Sequence, residues 1–319
     1  MGSAEGSGIG GKQFGVAWPD FNDGLTYTDN VQADSSISLI EFYSTNHNNS
    51  APLQGWLQRI QNGQITVDGQ VVKDPQTILR SGSQLVYHRL PWKEPDAPYL
   101  LQVLFEDDHL VAVNKPSGLQ VLPGGLFQQR TVLTQLQWRV AADYGQPQPS
   151  PVHRLGRGTS GILLCAKTKL AKVCLASYFA HGTSIVGDKR TISLEVNATR
   201  KISKIYRALV TGIIKEHQVV IEQPIGMIRY PGVAHGLYVA SSSGKPAMSR
   251  VNVLERNIQA NQSLVQVEIQ SGRPHQIRIH LSFIGHPLVG DPLYATGGRP
   301  VCFDSESGAE DCGQDGYDI

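Results

Sequence analysis

The sequence predicts an α+β protein made of two unequal units. Three observations carry this expectation. Runs of strand-forming residues follow one another with only a few helical stripes between them, and no steady strand–helix alternation marks a doubly wound sheet. The length of 319 residues fits one large domain with a smaller companion. The stretch Pro91-Trp92-Lys93-Glu94-Pro95-Asp96-Ala97-Pro98, with three prolines, separates a short first part from a long second part of different texture and is read as a linker.

The elements follow in chain order. Residues 1–40 show no hydrophobic period and are expected to form a flexible arm. Residues 41–90 form a small module. Leu53, Trp56, Leu57 and Ile60 recur at helical spacing, and Asn62-Gly63 stops that helix because glycine accepts a positive φ. Ile65-Thr66-Val67 and Gln70-Val71-Val72, split by Asp68-Gly69, predict a tight hairpin. Leu85-Val86-Tyr87 closes the module. Past the linker, residues 99–302 form the large domain. Leu110-Val111-Ala112-Val113 and Ile162-Leu163-Leu164-Cys165-Ala166 read as buried strands, and Leu170, Val173, Cys174 and Tyr178 as the stripe of a helix. Ile205 and Leu209 fall on the opposite face of a strand from Tyr206, Ala208 and Val210. Val265, Val267 and Ile269 alternate with Gln266, Glu268 and Gln270, a half-buried strand. Pro274 is expected at the first position of a helix that Gly285 ends. Residues 303–319 hold six acids and no base and are read as a disordered tail.

Composition excludes several classes of function. No apolar run approaches the ~18 residues of a membrane span. Cys165, Cys174, Cys302 and Cys312 make no C-x-x-C pair, so neither a zinc ribbon nor a thioredoxin motif is available. This cysteine usage fits a reduced intracellular compartment, with cytoplasm or nucleus ahead of an organelle, and Met1–Lys12 reads as neither signal nor transit peptide. His275, His280 and His286 are spaced too poorly for a shared metal, so no metal is expected. The net charge of +1 hides its distribution: without the acidic tail, 28 bases face 21 acids. From His153 to Arg207, eleven Lys or Arg stand against Asp188 and Glu195. Arg154, Arg157, Lys201, Lys204 and Arg207 there flank glycines and Tyr206. Cations neutralise phosphates and an aromatic face stacks on an unstacked base, so this stretch points to a nucleic acid.

Gly156-Arg157-Gly158-Thr159-Ser160-Gly161 satisfies G-x-G-x-x-G. A dinucleotide fold needs a helix to open at its end so that helix N–H groups meet the pyrophosphate. Here the strand-like Ile162-Leu163-Leu164 follows, so that reading fails. Arg273-Pro274-His275-Gln276-Ile277-Arg278-Ile279-His280 is a second polar concentration, with Arg278 one residue round from the core-facing Ile277.

Taken together, several blocks resemble the RluA-type RNA pseudouridine synthases. His153-Arg154-Leu155-Gly156-Arg157-Gly158-Thr159-Ser160-Gly161-Ile162-Leu163-Leu164 resembles the signature H-R-L-D-R-x-T-S-G-L-L-L. Leu104–Leu110 with Asn114-Lys115-Pro116-Ser117-Gly118, Lys204–Val210, Ser271–His280 and Gly285–Tyr294 resemble further blocks in family order. The 53–90 module resembles the S4 RNA-binding domain. The resemblance implies a pseudouridine synthase catalytic fold, a large mixed and mainly antiparallel sheet with flanking helices, plus a small α+β S4-like domain. It implies an isomerase that breaks the C1′–N1 bond of a uridine in RNA (rRNA or tRNA), turns the uracil and joins C1′ to C5, without cofactor or metal and as a monomer. The uridine leaves the stack for this chemistry. By the same resemblance Arg154 fills the vacated space, Tyr206 stacks on the flipped uracil, and Arg278 pairs with the catalytic carboxylate. His153 and Thr159 shape the loop, and His153, Arg157, Lys115, Lys204 and Arg273 are RNA-side candidates, Lys115 and Arg273 either at phosphates or in local pairs.

One departure bears on the chemistry. The family's catalytic aspartate belongs at position 156, where this chain has Gly156. Glycine supplies neither nucleophile nor base, and such a loss costs powers of ten in rate. Pro274 also replaces the family's usual Thr, and a segment at about 182–200 is added before Lys204. Three readings follow: an active synthase that recruits another carboxylate, with Asp107, Asp108, Asp188 and Asp291 as candidates, a catalytically impaired RNA-binding pseudoenzyme, or a variant residue at 156 in this particular sequence. A carboxylate within about 4 Å of the Arg278 guanidinium becomes the leading candidate.

Overall fold

A computed structural model describes residues 12–32, 37–141, 148–184, 202–230 and 233–300. The chain divides into two compact units. One holds residues 17–96 with Phe127–Gln129, and the other holds the rest. The acidic 303–319 segment, most of the 182–200 insertion and Asp188 lie outside the described residues.

The N-terminal region departs from the expected loose arm. Strand β1 (Gln13–Phe14) pairs with the first long strand of the large unit. Gln135, fully buried, fixes Val16 on both sides: its Oε1 accepts from the Val16 N–H at 2.8 Å and its Nε2 donates to the Val16 carbonyl at 2.7 Å. Two residues are too short to show a period, so only their partners make them a strand.

In the small unit, β2 (Leu25–Asn30), β3 (Ile37–Ser38), α1 (Leu39–Asn46), α2 (Leu53–Gln61), β4 (Ile65–Val67), β5 (Gln70–Val71), β6 (Ile78–Leu79) and β7 (Gln84–Arg89) follow in order. The antiparallel sheet runs β2-β7-β4-β5. The β4–β5 turn forms as its sequence requires, with Asp68 and Gly69 both at positive φ (50° and 80°). Ser38 and Glu41 cap α1 reciprocally: the Glu41 carboxylate accepts from the Ser38 N–H at 2.9 Å, and the Ser38 hydroxyl accepts from the Glu41 N–H. The core gathers Leu39, Tyr43, Trp56, Ile60, Ile65, Leu85 and Tyr87. Tyr43 stacks on Trp56 at 4.4 Å, and Arg59 lies over the Trp56 ring at 4.6 Å. The proline-rich stretch has no regular element, yet it is anchored. Buried Glu94 accepts at 2.8 Å from the Asn22 amide and from the N–H groups of Gln128 and Gln129.

The large unit continues with β8 (Leu101–Glu106), β9 (Leu110–Lys115), α3 (Val132–Ala141), β10 (Ser150–Pro151), β11 (Gly161–Ala166) and α4 (Lys169–Ser184). Then come β12 (Lys204–Thr211), β13 (Gln218–Ile221), β14 (Ile225–Tyr230), β15 (Val233–Ala240), β16 (Ser249–Asn257), β17 (Gln262–Ile269) and α5 (Gln276–Phe283). Where one large sheet is expected, the strands form separate antiparallel sheets: β1-β8-β9-β11-β10, β12-β17-β16-β13 and the hairpin β14-β15. The expected alternation in β17 holds, with Val265, Val267 and Ile269 buried. They pack with Val210, Val251 and Leu281 in a cluster that α5 covers.

Three local expectations are corrected. The α4 stripe holds only at Tyr178: Leu170 and Val173 are 70% and 60% exposed and Cys174 is exposed, while Ala171, Leu175, Tyr178 and Phe179 are half-buried. In β11 only alternate residues are fully enclosed at its start, and Ile162 is 62% exposed. Pro274 precedes the helix rather than opening it. His275 is the N-cap, at φ 53°, a left-handed turn that directs the chain into α5. Gly285, at φ 88°, follows the C-cap Ile284 as expected.

Candidate active site

The loop 153–160 connects β10 to β11. Leu155 is buried and pins it, which leaves its neighbours Arg154 and Gly156 exposed, with Arg157 and Gly158. The register Gly161↔Lys115 through Ala166↔Leu110 puts this loop at the Lys115 end of the sheet. A strand follows Gly161, as the sequence requires, and no helix opens there.

Lys115 lies inside the protein rather than at an RNA phosphate. It is 0% exposed, and its ammonium donates to the carbonyls of Pro116 (2.8 Å), Leu119 (2.7 Å) and Arg157 (3.2 Å). Burial without a carboxylate partner pushes its pKa down to about 8. Two further bonds join the same segments: the Gly118 N–H donates to the Arg157 carbonyl at 2.8 Å, and the Ser117 hydroxyl to that of Gly158 at 2.8 Å. Lys115 therefore braces the loop that displays Arg154 and Arg157.

His153 is half-buried. Its Nε2 accepts from the Leu164 N–H at 3.0 Å, so the ring is neutral with its proton on Nδ1. Burial, with the nearby Lys204 charge, drives its pKa down to about 4. The ring packs on Phe179 of α4 at 4.9 Å, and the Lys204 ammonium sits 5.8 Å over that same Phe179 ring. Phe179 thus joins the 153–160 loop to the start of β12. Tyr206 shares the Lys204 face of β12 and packs against the cluster covered by α5, where burial raises its hydroxyl pKa. Arg207 points to the other face and is exposed. The basic stretch of the sequence is therefore not one patch. Lys167, for example, serves the far end of the sheet, bound to Glu106 at 3.3 Å and to the Asp107 carbonyl at 2.8 Å.

Arg278 on α5 meets a carboxylate, that of Asp291. Its Nε donates to Oδ2 and its Nη2 to Oδ1, both at 2.7 Å, a bidentate pair. Oδ1 also accepts from the N–H groups of Leu293 (2.9 Å) and Tyr294 (3.1 Å). Burial would raise the Asp291 pKa, but Arg278 and these N–H groups outweigh it and hold the carboxyl below its usual range. The guanidinium also lies 4.9 Å over the Tyr294 ring. The Tyr294 hydroxyl donates to the Tyr238 carbonyl at 2.7 Å and so accepts from His275 Nδ1 at 2.8 Å. The 286–291 segment runs along β12 through the Thr211 N–H to Pro287 carbonyl (2.9 Å) and Val289 N–H to Leu209 carbonyl (3.0 Å) bonds. These bonds register Asp291 against the Tyr206 strand.

Buried polar bonds hold the helix itself. His280 is fully buried and neutral, its pKa pushed down to about 4 by burial. Its Nε2 donates to the Gln223 carbonyl at 2.8 Å, and its Nδ1 accepts from the Ser249 hydroxyl at 2.9 Å. His280 is therefore a strut and no metal ligand. Among the described residues no group of three His, Cys, Asp or Glu is placed to hold a metal.

The four carboxylate candidates separate clearly. Asp107 and Asp108 lie at the Leu110 end of β9, across the length of the strand from Gly161, and Asp107 is spent on the His109 and Leu110 N–H groups. Asp188 is outside the described residues. Asp291 meets the distance criterion, but its side chain is 2% exposed and both oxygens are engaged. Gly156 itself has ordinary backbone geometry, and a Cβ there would meet only the Thr159 hydroxyl, at 3.5 Å. The loop therefore has room for a side chain that the sequence does not supply.

Known proteins agree with this architecture. The family described as RNA pseudouridylate synthase matches residues 109–283. The chain is 65% identical over 303 residues to "RNA pseudouridine synthase 5" of Arabidopsis thaliana, covering 92% of this chain and 82% of that protein. It is 62% identical over 299 residues to "RNA pseudouridine synthase 5" of Oryza sativa subsp. japonica, covering 90% and 75%. It is 36% identical over 252 residues to "Ribosomal large subunit pseudouridine synthase D" of Pseudomonas aeruginosa, covering 77% and 69%. With that coverage and the antiparallel fold around the 153–161 loop, the chain belongs to the RNA pseudouridine synthases of the RluA type, isomerases that act on RNA.

Proposed function

We propose that this chain takes a uridine out of the RNA stack and isomerises it at the cleft edge formed by the 153–160 loop, β12 and α5. Arg154, exposed on a loop pinned by Leu155, enters the stack where the base leaves. Tyr206 stacks on the uracil, and Arg278 supplies a fixed positive charge beside it. The observation that carries this reading is the bidentate Arg278–Asp291 pair. It fixes the guanidinium without any help from position 156, so the missing aspartate leaves no orphan charge. Asp291 acts here as a positioning residue, since its oxygens are filled. Orientation and a preorganised charge lower the barrier by themselves, though less than with a nucleophile or base present.

The small unit is proposed as an S4-like RNA-binding module, supported by α2, the β4–β5 hairpin and β7. Residues 17–96 carry five Lys or Arg against nine Asp or Glu, so this module contributes local contacts rather than long-range attraction. The usage of cysteine supports an intracellular protein.

Tritium release from RNA labelled at uracil C5 tests the reading. The native protein is expected to release tritium, and Gly156→Asp to release it at least about tenfold faster, because one catalytic group is worth roughly two powers of ten or more. Release at background from the native protein, with activity only in Gly156→Asp, would leave an RNA-binding pseudoenzyme. Gly156 is the feature that favours this second reading.

A further inference from the structure

A cationic ledge lies away from the 153–160 loop. The segment 241–246, between β15 and β16, is held against β14 by backbone bonds. Ser241 N–H donates to the Pro224 carbonyl (2.9 Å) and Lys245 N–H to that of Ile225 (2.8 Å), while Ile225 N–H donates back to the Lys245 carbonyl (3.0 Å). The contact is so close that a Cβ on Gly244 would fall 2.3 Å from the Ile225 carbonyl carbon and 2.4 Å from the Gly226 nitrogen. Only glycine allows this approach, so Lys245 leaves a rigid backbone with its side chain exposed.

Arg273 is brought to the same place from the turn after β17. Its Nε donates to the carbonyl of Pro246, the residue next to Lys245, at 3.0 Å. Its own N–H is held by Gln276 Oε1 at 3.1 Å. Gln276 is buried and fully engaged: Oε1 also accepts from the Ser271 hydroxyl, and Nε2 donates to the Met248 carbonyl (2.9 Å) and the Ser249 hydroxyl (3.1 Å). Arg273 is thus fixed at both its backbone and its guanidinium. Among the described residues neither Lys245 nor Arg273 has a carboxylate within 4.0 Å, and the Nη groups of Arg273 have no protein acceptor. The Arg273 guanidinium is bonded to the residue next to Lys245, whose exposed four-carbon side chain is long enough to share an anion with it. Ser241 and Ser243, whose hydroxyls lie 3.0 Å apart, add neutral donors on the same segment.

We propose that Lys245 and Arg273 together take one backbone phosphodiester of the RNA strand, Arg273 through its Nη edge and Lys245 as a point charge. This rests on the reading of the chain as an RNA-modifying enzyme, but it concerns binding and not turnover. The test uses the full chain and a fluorescent uridine-containing stem–loop RNA, with affinity measured over a series of KCl concentrations. Each phosphate contact contributes roughly one unit to the slope of log affinity against log salt. Because the two residues share one phosphate, the Lys245→Ala, Arg273→Ala double variant is expected to lower that slope by about one unit in all, each single variant by part of it, and Lys245→Arg to keep it. Gly244→Ala is expected to weaken binding although it removes no charge. A slope unchanged by Lys245→Ala overturns the clamp, because this exposed residue can be replaced without disturbing the fold. Native protein that fails to bind the RNA overturns clamp and function together. Expected slopes without tritium release keep the clamp and remove the isomerase reading.

Discussion

Lys115 and Arg278 are both cations taken largely out of water beside the candidate active site, and the protein stabilises them in opposite ways. Around Lys115 there is no carboxylate, only three carbonyl oxygens at 2.7–3.2 Å. Around Arg278 a carboxylate forms a bidentate pair at 2.7 Å, and an aromatic ring lies beneath. Carbonyl dipoles compensate burial only in part, so the Lys115 charge becomes conditional at about pH 8. The Arg278 charge is permanent, because guanidinium does not deprotonate and its partner is held ionised. One device holds the shape of a loop and the other holds a charge in place. That division explains how the loop tolerates glycine at 156: its conformation depends on Lys115, Ser117 and Leu155, and not on a side chain at 156.

The comparison is broken most severely at Asp291. Asp291→Ala strands Arg278 and removes the acceptor for the Leu293 and Tyr294 N–H groups. It is expected to cost about 3 kcal/mol, at the low end for a buried pair because Arg278 keeps 27% side-chain exposure. Urea denaturation measures this, and Asp291→Asn, which retains one acceptor oxygen, should lose less. An alanine variant as stable as the native chain would show that the pair does not position Arg278.

Lys115→Met should come next, at about 2 kcal/mol, since it takes the lysine donor from the Pro116 and Leu119 carbonyls, while the Arg157 carbonyl keeps the Gly118 N–H. The native lysine also predicts a pH signature of definite sign. Its pKa is lowered on folding from 10.5 to about 8, so between these values the unfolded chain holds the extra proton and stability rises with pH. A neutral amine has only two N–H groups for three carbonyls, so the longest bond, to Arg157, is released in the same range. Global stability should therefore increase above about pH 8 while turnover falls, and Lys115→Met should lose the stability rise. Parallel changes in the native protein would contradict this assignment.

The smallest effect is shared by both regions. His153 beside the loop and His280 beneath α5 are neutral, with pKa values lowered from 6.5 to about 4 by burial. Their stabilisation is present above about pH 6.5 and is lost as pH falls towards 4, because the unfolded chain takes up those protons first. Gln in place of either residue should shallow the acid limb of a stability–pH curve. An unchanged limb in both variants would place the acid sensitivity elsewhere.

Much of this was legible from local residues. Asp68-Gly69 dictated a turn with two positive φ values, and the Val265, Val267, Ile269 alternation dictated a strand with one buried face. The Ser38-x-x-Glu41 capping box that starts α1 is an equally local signal, inside a region whose lack of hydrophobic period predicts an arm. Other features had no local signal. β1 is two residues long and exists because β8 and Gln135 receive it. The α4 residues Leu170 and Val173 have helical spacing, but spacing does not say which stripe meets the sheet. Lys245 carried no mark in the sequence, since its interest comes from Arg273 arriving 28 residues later at Pro246.

The sequence by itself determined the α+β class, the family blocks and the absence of a side chain at 156. These depend on residue type and on near neighbours, where backbone sterics and periodicity decide. Only the tertiary structure decided that Lys115 is an internal brace, that His153 bonds the Leu164 N–H, that Arg278 belongs to Asp291, and that Asp107 and Asp108 are too far along the strand to serve the loop. The physical reason is that a charge is defined by the groups around it. Whether a lysine meets a phosphate or a carbonyl depends on how the chain turns around it, here bringing Pro116 and Leu119 from nearby and Arg157 from 42 residues away.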